Sequence, residues 1–364
     1  MKKTKFDCVN IGGAVRDITL YTDEGFMLNQ HIGGRTRQLF GFPYGGKTSI
    51  RNQDGHFTLG GGAANTAVVM SKLGLKTAVL SSLGGDLTGQ DIRNDMHRQG
   101  VDTSLMQIHK IARSGFSLIV ANKRDHDHII FTYRGATQYL TLHQLDLEKI
   151  STAWFYITSL AGSHVHWKKN LQAIFGAARK KKIKVAWNVG GEQVHSGKEG
   201  IGRFVKFTDI LAVNTSEART LVGSVSVQKT QKIAQLKDDA LFRYLADELH
   251  SWGAKIIVIT NGAQGAYTFD GSNFLFRGAT AKKALDTTGA GDGFNASFLT
   301  GQIKFPVLPA EQRLAVSLEL GRVNTDSLIR KFGAQEGLLH WPGALSRLRA
   351  DLKKLVTEYD DQKI

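Results

Sequence analysis

An α/β protein with a doubly wound, mainly parallel central sheet and a small β-sheet lid is predicted by three observations. Short apolar runs alternate with segments of helical period along most of the 364 residues, the order of repeated strand–helix–strand units. Two stretches break that order. Residues 18–58 are rich in Gly, Thr, Arg and aromatics without helical period, and residues 114–134 alternate as Phe116, Leu118, Val120, then Ile129, Phe131, Tyr133 around a polar turn. Lastly, glycine-rich turns at 60–62 and 289–291 open helices, as strand-to-helix junctions in such folds do.

Taken in order, residues 6–12 read as a buried strand, 63–73 as a helix, 77–83 as the next strand and 90–99 as a helix. Core strands follow at 156–160, 184–188, 210–213 and 256–260, separated by helices at 167–182, 215–222 and 238–252. Helices at 290–303, 309–331 and 342–357 close the chain, so the pattern is βαβ throughout. The hairpin stretches cannot easily join a parallel core and should project together as one small sheet over one side. Strands that close over a substrate exclude water from it. No linker, repeat or low-complexity segment calls for a second unit. We therefore expect a single domain over 1–358, with lid strands inserted at about 18–58 and 114–134 and a polar tail at 359–364.

Composition narrows the class. With 41% hydrophobic and 22% charged residues the chain can bury a large core unaided. No apolar run approaches the roughly 18–20 residues of a membrane span, and the Lys-rich start lacks a signal's apolar region, so a cytoplasmic protein without a membrane partner is expected. The single cysteine, Cys8, excludes an internal disulfide and any multi-cysteine metal site. A net charge of +15 suits anionic small substrates or a basic solvated surface. Nucleic acid is not the expected partner, because no basic stripe interleaved with aromatics occurs and the run from Arg179 to Lys184 ends an amphipathic helix, where the dipole favours it.

The run from Asp286 through Thr288, Gly289, Ala290, Gly291 and Asp292 to Phe294 carries the most chemistry. Phe294, Phe298 and Leu299 recur at helical spacing, which puts 289–291 in a first turn whose N–H groups lack partners and can hold an anion. Asp292 would be repelled by that anion, so it is either an ordinary first-turn residue or a base that takes a hydroxyl proton.

A second group lies at Gly60, Gly61, Gly62 and Asn65, where small residues admit a ligand and Asn65 offers both donor and acceptor to a hydroxyl; a plain glycine turn with a solvated Asn is the alternative. Asp17, just after the first strand, can accept from two adjacent hydroxyls, although turns are rich in Asp. Asn214 and Glu217 stand three apart at a helix start, which suits a capping box or an organiser of Mg²⁺ and phosphate. Thr260 and Gly262 end a core strand at the edge where ligands sit. Gly41 to Thr48 satisfies the P-loop pattern, but the polar 49–57 that follows has no apolar period and argues against it. Asp125, His126, Asp127 and His128 sit at a hairpin tip, where solvated polar residues are expected rather than a metal.

In order, these stretches resemble the ribokinase-like, or PfkB, family of carbohydrate kinases, from about residue 6 to residue 345. Gly60 to Asn65 is similar to its amino-terminal glycine motif, Leu83 to Asp86 with Gly89 and Gly100-Val101-Asp102 to its next block, Asn214 and Glu217 to its NxxE, and Asp286 to Phe294 to its carboxy-terminal motif. The resemblance implies a doubly wound α/β/α domain with a β lid, transferring the ATP γ-phosphate to a hydroxymethyl group of a sugar. It implies Asp292 as base, the backbone of Gly289, Ala290 and Gly291 as anion hole, and Asp17, Gly61 and Asn65 at the sugar; Gly62 and, from the end of the second hairpin, Arg134 are further expected substrate contacts. Asn214 and Glu217 would organise Mg²⁺, Glu217 through water, while Thr260, Gly262 and Asn324 would lie near the nucleotide. Asp286 and Thr288, with Gly333 and Ala334, match a monovalent cation site, so K⁺ joins ATP and Mg²⁺ among the implied cofactors.

Two departures qualify this picture. The strand ending at Asn188, Val189 and Gly190 lacks the Asp-Pro-Asn often found there, which puts nucleotide or phosphate contacts at that strand end in doubt. The first lid segment is long and carries Arg35, Arg37, Lys47 and Arg51, for an acidic or phosphorylated sugar or for a homodimer through the lid. A nucleoside kinase is the alternative within the fold. A non-catalytic basic binding protein is the alternative outside it, and it would have no need of the Asp292 base.

Overall fold

The computed structural model describes residues 5–32, 35–123, 128–280 and 284–355; Lys2, Lys3, Asp125, His126, Asp127, the tail 359–364 and the side chains of Arg35 and Arg37 lie outside the described residues. Its main sheet has eight strands in the order Phe274–Arg277, Ala266–Phe269, Ile256–Thr260, Ile210–Asn214, Lys184–Asn188, Thr152–Ile157, Phe6–Ile11 and Thr77–Leu80. The six from Ile256–Thr260 to Thr77–Leu80 are parallel, and the other two return as an antiparallel hairpin at one edge.

Strand side chains alternate in direction, so each core strand feeds two separate apolar layers. Phe155, Ile157, Leu211, Val213, Ile257 and Ile259 pack into one layer beneath the helices His164–Lys181, Gly197–Val205, Thr215–Gly223 and Asp238–His250. Trp154, Tyr156, Ile210, Ala212 and Val258 pack into the other, under Gly62–Lys72, Ala290–Lys304, Ala310–Leu328 and Trp341–Leu355. The result is the expected α/β/α sandwich with a mainly parallel sheet. Burial on both faces explains why these strands read as continuous apolar runs. Cys8 is buried in the second layer, where burial pushes its thiol far above the usual range and leaves it inert. Among the described residues no helix is long and apolar enough to cross a membrane.

Several expected boundaries move. The strand expected over 77–83 stops at Leu80, and Ser82–Gly84 turns off to pair with Gln107–His109. The strand expected over 156–160 runs Thr152–Ile157, which leaves Thr158 and Ser159 to turn over its end. The antiparallel hairpin departs from a βαβ pattern throughout. Its signal was local: Asp270 accepts from the N–H groups of Ser272 and Asn273, an Asx turn between two alternating runs.

The lid is a four-stranded sheet of His128–Tyr133, Phe116–Asn122, Val15–Thr22 and Gly55–Gly60. The strands Phe26–Ile32 and Arg35–Gly41 do not join it; they form a hairpin of their own. The P-loop-like run lies at the end of that hairpin, and only the short 3-10 turn Asn52–Asp54 follows where a P-loop needs a helix. Arg51 is tied to Asp54, which also accepts from Lys123, so this arginine fastens the loop to the lid sheet. The block around Asp86 anchors the lid from the other side. Its carboxylate caps Gly89 and accepts from the N–H and hydroxyl of Ser114, at the entry to strand Phe116–Asn122.

Candidate active site

Two clefts meet at the first turn of helix Ala290–Lys304. The first has about 700 Å³ of space continuous with solvent and lies between the lid and the carboxyl ends of the strands. Asp17, Gly61, Gly62, Asn65, Arg134, Thr288 and Asp292 all line it. The second, about 500 Å³, is lined by Thr260, Gly262, Ala290 and Gly291 together with Arg277, Arg322, Thr325 and Asp326. Consecutive residues of one helical turn thus open to different clefts, with Gly291 on one side and Asp292 on the other.

Asp17 sits on lid strand Val15–Thr22 beside Gly60 of the neighbouring strand, and a Cβ at Gly60 would stand 2.1 Å from the Asp17 carboxylate. The glycine is what lets that carboxylate turn inward. Burial pushes it up to about 6, against a hydrogen bond with Ser117 and the charge of Arg16, with Asp286 adding to the rise. Asn65, one turn into its helix, donates from Nδ2 to Asp292 Oδ2 at 3.0 Å. Asp292 is pushed up to about 6 by burial; the Asn65 hydrogen bond opposes the rise and the Asp17 charge adds to it. Two carboxylates with raised affinity for protons therefore flank one cleft, the pattern expected where acid–base work is done.

The turn expected to hold an anion differs from that expectation in one donor. Ala290 N–H bonds to Thr287 O at 3.1 Å, so it closes the turn instead of facing a ligand. Gly291 N–H and Asp292 N–H have no backbone partner among the described residues. Asp286 braces the turn from below: Oδ1 accepts from Thr288 N–H and Oδ2 from Gly333 N–H, both at 2.8 Å, and the Tyr21 hydroxyl of the lid lies 3.4 Å from Oδ2.

Other expected residues lie elsewhere. Asn324 is fully buried, donating to Ser297 Oγ at 2.8 Å and accepting from Leu339 N–H at 2.9 Å, so its amide is committed to the core and its neighbours Thr325 and Asp326 face the cleft. Asn214 and Glu217 form a reciprocal capping box at 2.9 and 2.8 Å and line neither cleft. Burial raises the Glu217 carboxyl while the Asn214 hydrogen bonds hold it down. Arg134 reaches the first cleft and lies 3.7 Å from Glu192, a half-exposed pair. None of Lys47, Arg51 or the rest of 42–51 lines it.

Sequence reasoning passed over Ser117, Gln335 and the ion network at the second cleft. Ser117 was legible in the alternation, which sends it to the face opposite Phe116 and Leu118; it is in register with Asp17. The network centres on fully buried Glu319, which bonds Arg277 and Arg322, while Arg322 also reaches Asp326 at 2.8 Å. Glu319, Arg322 and Asp326 follow one another at spacings of three and four on helix Ala310–Leu328, a pattern the sequence did carry; only Arg277 comes from a distant strand.

The model of the pfkB family carbohydrate kinases matches residues 29–340. The ribokinase of Haemophilus influenzae is 25% identical over 297 residues, covering 80% of this chain and 87% of that protein. A nucleoside kinase of Methanothermobacter thermautotrophicus is 24% identical, covering 76% and 85% respectively. In structure, the Arabidopsis thaliana ribokinase complexed with ribose and ATP superposes with a TM-score of 0.71 at 18% identity, over 94% of this chain and 99% of that one.

Proposed function

The chain belongs to the pfkB family of carbohydrate kinases, and from that premise we propose that it transfers the ATP γ-phosphate to a hydroxymethyl group of a sugar or sugar-like alcohol, with Asp292 as base. Membership makes it a phosphotransferase acting on an alcohol group and implies use of ATP and Mg²⁺. The observation that carries the proposal is the shared turn, where Gly291 opens to one cleft and Asp292 to the other. A hydroxyl held by Asp17 and Asn65 would then face a phosphate held at the Gly291 backbone.

The division of labour follows from the charges. Asp17, partly desolvated, accepts from acceptor hydroxyls through strong charge-assisted bonds. Asp292, ionised above about pH 6, takes the proton that the attacking oxygen sheds. The N–H groups of Gly291 and Asp292 receive charge on the transferring group, which asks mainly for positioning and electrostatic stabilisation. The second cleft fits a nucleotide: a Cβ at Gly291 or Gly262 would meet open space, and the Thr325 hydroxyl is buried there without a partner among the described residues. Mg²⁺, when bound, supplies charge neutralisation on the phosphates. Asn214 and Glu217, occupied with their capping box, would hold it through water.

Two narrower proposals attach to this one. A monovalent cation such as K⁺ at Asp286 and Thr288 would stiffen the turn that presents the anion site. Pairing of two lids into a homodimer is supported by exposed Ile130, Phe131 and Tyr133 on the outer lid strand, and sedimentation tests it.

A coupled ADP-release screen over pentoses, hexoses, sugar acids, sugar phosphates and nucleosides, with and without K⁺, tests the function. Mg²⁺-dependent release stimulated by one class is expected, and silence across all of them would overturn the proposal. Once the acceptor is known, Asp17→Asn is expected to raise its KM by roughly 10–100-fold, the worth of a hydrogen bond to a charged group, with the KM for ATP unchanged. Equal effects on both KM values would remove Asp17 from the acceptor side.

A further inference from the structure

Gln335 is buried in the loop after Gly333 and touches neither the first cleft nor the second, yet its amide meets Asn65. Its Nε2 donates to Asn65 Oδ1 at 3.1 Å and to Leu59 O at 3.3 Å. Both hydrogens of that nitrogen are used on carbonyl oxygens, which fixes the direction of the Gln335 amide. With Oδ1 so engaged, Asn65 can present only Nδ2 to Asp292, at 3.0 Å. A flipped Asn65 would set an NH₂ group against Gln335 and an oxygen against the carboxylate. Two favourable contacts would become two repulsive ones. The Gln335 loop is held in turn by Lys72 Nζ, which donates to the Gln335 carbonyl at 3.2 Å.

We infer that Gln335 is a positioning residue, which orients the Asn65 amide as a donor to Asp292 and so keeps the proposed base ionised during turnover. The inference rests on the assignment of Asp292 as base. A hydrogen bond to the ionised form favours that form, opposing the burial that drives Asp292 upward. Without Gln335 the Asn65 amide is free to turn, and an oxygen facing the carboxylate would favour the protonated, inactive form. The effect is on the proton affinity of the base and not on nucleotide contacts.

Gln335→Met keeps the length of the side chain and removes its donor. In this variant the acid limb of the kcat profile is expected to rise by about one pH unit, the size of a lost hydrogen bond to a charged group. At pH 6 kcat should fall roughly fivefold, approaching tenfold only below about pH 5, while the KM for ATP stays as it was, and the loss should shrink above pH 8 as Asp292 ionises again. Gln335→Glu, of the same shape but accepting where Gln donates, should move the limb further in the same direction. A merely structural role would lower the melting temperature and leave the limb in place. That result in either folded variant overturns the inference.

Should both variants fail to fold, the wild-type protein decides. The Asn65 side-chain NH₂ resonances in a ¹⁵N spectrum should titrate with the acid limb, and resonances that do not move across it overturn the inference. The base assignment fails separately. If Asp292→Asn keeps wild-type turnover the base is lost, whereas a dead Asp292→Asn beside an unshifted Gln335→Met removes only the positioning role.

Discussion

Replacing Asp292 by Asn is expected to lower kcat by about 10²–10⁴-fold, the range a positioned general base contributes, while the KM for ATP and the acceptor change little. Asn keeps the shape and still meets Asn65, but it cannot take a proton from the attacking hydroxyl. Steady-state kinetics on the variant, with acceptor binding followed by calorimetry, checks both halves. Unchanged turnover would dismiss the base. Stability should move the opposite way, and the sign follows from the same burial. The Asp292 carboxyl is pushed up to about 6, above its usual value near 3.8, so the folded chain holds this proton more tightly than the unfolded one. That contribution is complete below the unfolded value and is lost as pH rises through about 6. At pH 8 the wild type therefore holds a desolvated charge that Asp292→Asn lacks, and the variant should melt higher. At pH 4 the difference should largely close. On the proposed role, a base kept ready for a proton at neutral pH is a burden on the ligand-free fold.

How legible this arrangement was depended on the range of the signal. Helix Ala290–Lys304 and strands Lys184–Asn188 and Ile256–Thr260 were written in local period, because a buried parallel strand is a short apolar run and a helix repeats its apolar side. Asp17, Asn65 and Asp292 were each ambiguous alone, and the structure brings all three to one cleft although they come from the lid, helix Gly62–Lys72 and helix Ala290–Lys304. Asn324 shows the opposite. Its type and position suited a nucleotide contact, yet helix Ala310–Leu328 turns it into the core, where Ser297 and Leu339 take both ends of its amide. Ala290 was expected to face a ligand and is used instead to close the turn on Thr287. Gln335 carried no local pattern. Its partners Leu59 and Asn65 lie 276 and 270 residues away, and such a pairing is visible only once the chain has folded.

Gly289 and Gly291 separate the needs of the fold from those of the proposed reaction within one turn. Gly289 adopts φ 72°, left-handed backbone, and a Cβ there would stand 2.5 Å from the Ala334 Cβ. Gly289→Ala is therefore expected to cost ~2–4 kcal/mol, from the strained backbone and from overpacking against Ala334. Gly291 has no such constraint: its backbone is helical and an added Cβ meets nothing within 4 Å. It lines the second cleft, the one proposed for the nucleotide, and its N–H group has no backbone partner among the described residues. Gly291→Ala should thus fold normally, with the melting temperature unchanged or slightly raised because alanine loses less backbone entropy. Its methyl group would hold a transferring phosphate away from that N–H. Loss of one such donor is worth about 10²–10³-fold in kcat, and the loss should appear in kcat more than in the KM for the acceptor, whose proposed cleft lies on the other side of the turn. Melting curves and steady-state kinetics on the two variants test this together. Full activity in Gly291→Ala would remove the anion-holding role from this turn, whatever the fate of Gly289→Ala, because only the former leaves the fold untouched.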